Sequence, residues 1–88
     1  MRIAHLYKLI HYDIKPDNIC FSRKQNRIVL IDYGFSEFVE VDLGKSYPVK
    51  YKGTYLYVCK EMAYNFHSEI LCPVDPYFND LHGLQKSI

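Results

Sequence analysis

Apolar and polar residues alternate along this chain in short runs, and no single period holds for long. Ile3, Leu6, Tyr7 and Ile10 fall on one face at helical spacing, which predicts a helical stretch over Ile3 to Ile10. Pro16 forbids helix through the stretch that follows, because it lacks an N–H and its ring blocks the preceding turn. Ile19-Cys20-Phe21-Ser22 reads as a short apolar strand, Arg23 to Arg27 as a polar turn, and Ile28-Val29-Leu30-Ile31 as a second strand rich in β-branched residues. Together they predict a hairpin. Its antiparallel strands bring Asn18, at the entrance of the first, close to Asp32, at the exit of the second. Glu37 to Lys52 mixes charges with Gly44 and Pro48 and reads as an extended loop. Lys60 to Phe66 predicts a short helix, and His67 to Phe78 a loop broken by Pro73 and Pro76. Asn79 or Asp80 is the expected cap of a final helix. The pattern is α+β, one unit without repeats or low-complexity segments.

Composition narrows the setting. The formal net charge is +1 with both signs interspersed, so neither nucleic acid nor a membrane surface is an expected partner. The longest aliphatic run, Ile28 to Ile31, is far too short to span a bilayer. The opening residues, Met1 to His5, lack the apolar stretch of a secretory signal. Cys20, Cys59 and Cys72 are odd in number and widely spaced, which argues against a disulfide framework and for a reducing, cytoplasmic setting. His5, His67 and His82 show no metal-ligand spacing with one another or with the cysteines. Four of the nine tyrosines lie between Tyr47 and Tyr57. Core packing and groove lining explain them better than stacking on nucleic acid.

The chemistry concentrates in His11-Tyr12-Asp13-Ile14-Lys15-Pro16-Asp17-Asn18 and in Asp32-Tyr33-Gly34. Asp, Asn and Pro favour turns, so each piece alone could be an ordinary turn. In order and in register, they resemble the catalytic loop and metal-binding loop of eukaryotic protein kinases, H-R-D-x-K-x-x-N followed by D-F-G. The resemblance implies a partial kinase C-lobe: the end of a helix, the catalytic loop, a β-hairpin, an activation segment and the start of a large helix. It implies ATP and magnesium as cofactor and co-substrate, and a protein as phosphate acceptor. Asp13 matches the residue that orients the substrate hydroxyl and accepts its proton. Asn18 and Asp32 match the metal ligands, since magnesium seeks oxygen donors. Lys15 stands where serine/threonine kinases carry a lysine facing the transferred phosphate. Gly34 is expected to give backbone freedom for a sharp turn, and His11 to be structural rather than a general base.

Downstream, Gly53-Thr54-Tyr55-Leu56-Tyr57-Val58-Cys59-Lys60-Glu61 resembles the end of an activation segment, G-T-x-x-Y-x-A-P-E, with Cys59-Lys60 in place of Ala-Pro. The resemblance sets Thr54 against Asp13 and Lys15 and makes Glu61 an ion-pair residue, although both could be ordinary loop polar residues. Asp80-Leu81-His82-Gly83-Leu84 resembles the opening D-x-W-x-x-G of the large helix, with His82 for Trp and Gln85 for Gly. Asp80 would then hold the catalytic-loop backbone by hydrogen bonds. Asp80-Leu81 in place of Asp-Val-Trp, with the Asp32-Tyr33-Gly34 variant, resembles the casein kinase one and vaccinia-related kinase group. Tyr12 replaces the arginine that pairs with a phosphorylated activation loop, so activity independent of that phosphorylation is expected.

The 88 residues contain no G-x-G-x-x-G and no small-lobe lysine motif. Residues 1–88 are therefore expected to be the central third of a kinase domain, inactive alone. A chain this size buries only about 60% of its unfolded surface, so weak or partner-dependent folding is expected. Two other readings stay open. The chain could be a non-catalytic, kinase-derived binding or decoy fragment, or the product of a decayed gene segment.

Overall fold

The computed structural model describes residues 5, 8–40, 42 and 44–88. Leu9–Ile10 forms strand β1, and Pro16–Asn18 a 3₁₀ turn. Ile19–Ser22 and Arg27–Leu30 form β2 and β3, and Glu37–Phe38 and Tyr47–Pro48 form β4 and β5. A second 3₁₀ turn, Tyr55–Tyr57, leads into helix α1, Lys60–Tyr64. Pro73–Val74 is β6, and helix α2 runs from Pro76 to Ser87. Among the described residues the strands make three antiparallel pairs, β1 with β4, β2 with β3, and β5 with β6. The fold is α+β.

The hairpin forms where the pattern put it, with the second strand one residue early. Ile19 opposes Leu30, Cys20 opposes Val29, Phe21 opposes Ile28 and Ser22 opposes Arg27. Four residues, 23–26, then close the turn, with Asn26 at φ 51°, a left-handed conformation that Asn tolerates. Ile31 still bonds across, its N–H donating to the Asn18 carbonyl at 2.9 Å.

Three expectations need correction. Helical conformation does not extend to Ile10: Lys8 has φ 61° and Leu9–Ile10 is a strand paired with β4. His5 is helical, while Ile3, Leu6 and Tyr7 lie outside the described residues. The 67–78 stretch is not all loop, because Pro73–Val74 pairs with Tyr47–Pro48 and Pro76 opens α2 instead of breaking it. Proline suits the first helical position, where its missing N–H would have no partner anyway. The cap is therefore Asp75, not Asn79 or Asp80. Its carboxylate accepts from the N–H groups of Tyr77 and Phe78 at 3.0 and 3.2 Å.

The core gathers Ile10, Tyr12, Val39, Val49, Val58, Cys59, Met62, Val74 and Tyr77. They come from most of the short elements and the loops beside them, so the core ties the ends of the irregular segments together. The hairpin lies outside it, with Phe21 and Ile28 largely exposed. Two buried amides stitch loops to this core. Asn65 donates to the carbonyls of Val49 and Cys72, both at 2.9 Å, and accepts from the Cys72 N–H at 2.7 Å. Asn79 accepts from the Cys59 N–H at 2.8 Å, joining α2 to the start of α1. Unpaired, such buried backbone groups would each cost about 1–3 kcal/mol.

Candidate active site

The 11–18 segment is held from three sides. From α2, the buried carboxylate of Asp80 accepts from the His11 N–H at 2.8 Å and the Tyr12 N–H at 2.9 Å. Its Oδ2 also meets His5 Nε2 at 3.1 Å. Gly83 lets α2 come close: a Cβ there would stand 2.7 Å from the Ile14 carbonyl oxygen. No room for a water molecule remains between the segment and α2.

From the hairpin side, His11 uses both ring nitrogens. Nδ1 accepts from the Asp13 N–H at 3.1 Å, and Nε2 donates to the Ile31 carbonyl at 2.9 Å. That fixes the neutral tautomer with the proton on Nε2. The ring also packs edge-on against Tyr33, with centroids 4.7 Å apart. His11 thus couples Asp13 to the end of β3 and leaves no ring nitrogen for proton transfer.

Pro16, with fixed φ, and the extended Lys15 before it set the 3₁₀ turn that returns Asn18 to Asp13. The Asn18 side-chain N–H₂ donates to the Asp13 carbonyl at 2.8 Å and to Asp13 Oδ2 at 3.2 Å. Its side-chain oxygen takes no part in these two bonds. The remaining Asp13 oxygen, Oδ1, accepts from the Thr54 hydroxyl at 2.8 Å. Asp13 and Asn18 are 7% and 5% exposed, so both are fixed by neighbours rather than by water. Burial first, and then the negative charge of Asp13, pushes the Tyr51 phenol up from its ordinary range.

Asp32 sits on the surface one residue beyond the Ile31–Asn18 bond. Asp32 itself has a left-handed backbone, φ 58°, and Gly34 sits in the tight turn that the Ser36 N–H closes on the Tyr33 carbonyl at 3.0 Å. Gly34 also gives room: its N–H reaches Asp32 Oδ1 at 3.3 Å, the same distance an added Cβ would have from that oxygen. Lys15 is half-buried beside Asp13, and Glu61 is half-buried in the first turn of α1. The structure therefore gathers His11, Asp13, Asn18, Thr54 and Asp80 by direct hydrogen bonds. Asp32 and Gly34 join through the hairpin, and Lys15 through the chain alone. Among the described residues no three His, Cys, Asp or Glu side chains cluster as a metal site, and no helix is long and apolar enough to cross a membrane.

Motif spacing pointed to most of this set. It missed His5, Asn65 and Asn79, each a single polar residue without a spacing signal, and it gave no hint of the surroundings of Tyr12.

No family model matches the chain. It is similar to the non-specific serine/threonine protein kinase Cdc7 of Drosophila melanogaster, 30% identical over 46 residues, or 52% of this chain and 7% of that protein. It is also similar to CDPK-related kinase 3 of Arabidopsis thaliana, 42% identical over 41 residues, 44% of this chain and 7% of that protein. Among solved structures, the kinase PK-1 of Cydia pomonella granulovirus superposes with a TM-score of 0.64 at 25% identity, over 94% of this chain and 26% of that one. The chain thus spans a small part of each relative. Motif order, fold and relatives together support a protein kinase fragment, a segment of the kinase fold.

Proposed function

We propose that these residues are the phosphotransfer core of a serine/threonine protein kinase, which moves the γ-phosphate of ATP to a protein hydroxyl. The observation that carries this reading is the setting of Asp13, whose two carboxylate oxygens are aimed by Asn18 and Thr54. In this reading Asp13 orients the incoming serine or threonine hydroxyl and takes its proton. Lys15 offers positive charge to the phosphate in transit. Thr54 and Glu61 belong to the segment facing the protein substrate, and His11, Gly34 and Asp80 keep the loop in place.

The donor set fits magnesium, which is bound through one or two protein side-chain oxygens together with substrate phosphates. Asn18 contributes a carbonyl oxygen and Asp32 an exposed carboxylate. When bound, the cation supplies charge neutralisation on the nucleotide phosphates.

Residues 1–88 would form the central part of a kinase domain. Because they contain no glycine-rich phosphate loop, the isolated 88-residue chain is proposed to transfer no phosphate. Labelled-ATP assays on the protein isolated from its own cells test this reading. Magnesium-dependent transfer to protein serine or threonine should fall to background in an Asp32→Ala variant. Transfer that persists in that variant, or turnover by the isolated chain that Asp32→Ala abolishes, would overturn the corresponding claim.

A further inference from the structure

Tyr12 is a large residue at 2% exposure, standing between Asp80 and the segment that carries Thr54. Its backbone is left-handed, φ 70°. A bulky residue holds that conformation only where its surroundings fix it. Here the surroundings are specific. The Tyr12 hydroxyl lies 3.3 Å from the Tyr47 hydroxyl. The Lys52 ammonium sits 4.5 Å from the centroid of the Tyr12 ring and pairs with the Glu37 carboxylate. The Tyr12 carbonyl lies so close beneath Gly53 that a Cβ there would stand 2.3 Å from its oxygen.

These contacts reach several strands. Glu37 lies in β4, opposite Ile10 of β1, and Tyr47 lies in β5, opposite Val74 of β6. Lys52 is two residues before Thr54, whose hydroxyl bonds Asp13. A cation over a ring face is attracted by the ring's quadrupole, more strongly as water is removed. Burial of Lys52 is enough to lower its amine from the ordinary range.

From this arrangement we infer that Tyr12, Tyr47 and Lys52 are positioning residues: a strap that holds Gly53-Thr54 against Asp13. The inference rests on the reading of Asp13 given above and extends it to what sets its neighbour. Lys52 is committed to the ring and to Glu37.

Amide hydrogen exchange on the full protein tests the strap. The Tyr57 N–H donates to the Thr54 carbonyl at 2.8 Å, so its exchange reports release of that segment. The Asn79 N–H within α2 and the β2–β3 amides serve as references. Lys52→Met keeps the aliphatic stem and should speed exchange at Tyr57 about tenfold. Lys52→Arg should restore protection, because guanidinium also sits well over aromatic faces. Tyr12→Phe keeps the ring and should speed Tyr57 exchange about fivefold through the lost hydroxyl contact. The references should not change. Unaltered Tyr57 exchange in both variants, equal acceleration at every amide, or failure of Lys52→Arg to restore protection would overturn the strap. Exchange is read without substrate, so the expected pattern in a protein that transfers no phosphate supports the strap while refuting the role given to Asp13.

Discussion

Replacing Asp80 by Asn is the sharpest perturbation of the loop that carries Asp13. Asp80 is 1% exposed and receives the His11 and Tyr12 amides on separate oxygens. Hydrogen bonds to a charged group are worth about 1.5–3 kcal/mol each. Asparagine keeps the shape and one acceptor but turns an N–H₂ towards a buried N–H donor. One charge-assisted bond is lost, the other is weakened, and one donor is left unpaired, for a cost of about 3–5 kcal/mol. Whole domains are stable by only about 5–15 kcal/mol, so this single change consumes much of the total. Urea unfolding followed by tyrosine fluorescence reads the loss, since the chain has no tryptophan. Exchange at the His11 and Tyr12 amides locates it. A variant within about 0.5 kcal/mol of the parent, with both amides still protected, would refute the claim that Asp80 holds this loop.

Three further predictions follow from the same geometry. Gly53→Ala should destabilise by at least about 2 kcal/mol and break the Thr54–Asp13 contact, because Gly53 has φ 97° and lies against the Tyr12 carbonyl; unchanged thermal unfolding would contradict it. Burial, and then the bond with Tyr47, raises the Tyr12 phenol well above the ordinary value. The neutral phenol therefore contributes fully below about pH 10, and stability falls as pH rises above that, when the unfolded chain ionises. Tyr12→Phe should flatten this alkaline slope, with Tyr51 accounting for part of what remains, and an identical slope would count against the buried phenol. Burial likewise pushes the Cys59 thiol up, so thiol reagents should label exposed Cys20 first and Cys59 only on unfolding; mass spectrometry of partly labelled protein reads the order.

The hairpin was the most legible part of the chain, because its apolar strands and polar turn constrain each other locally. Its second strand moved by one residue to keep Ser22 opposite Arg27. The start of α2 was signalled by Asp75-Pro76, a cap residue followed by a proline at the first helical position. On their own, Pro73 and Pro76 read as punctuation of a loop. Strands β1, β4, β5 and β6 have two residues each and pair with partners far along the chain, so no local period announces them. The Asp13, Asn18 and Asp80 constellation was readable only as a spaced pattern, since each residue alone suits a turn or a cap. Asn65 and Asn79 matter through which backbone groups they meet, and that is settled by tertiary packing. The left-handed backbone at Tyr12 and Asp32 was hidden for the same reason: the surroundings impose it on residues that do not prefer it.

Phosphate transfer by the protein purified from its own cells, compared with its Asp13→Asn counterpart, tests the central claim most directly. Asparagine keeps the size of Asp13 and its contact with Thr54 but cannot accept the hydroxyl proton. ATP-dependent labelling of protein serine or threonine should fall by about 10²–10⁴ in the variant. Labelling that is equal in the two proteins, or absent from the unaltered one, would contradict that claim.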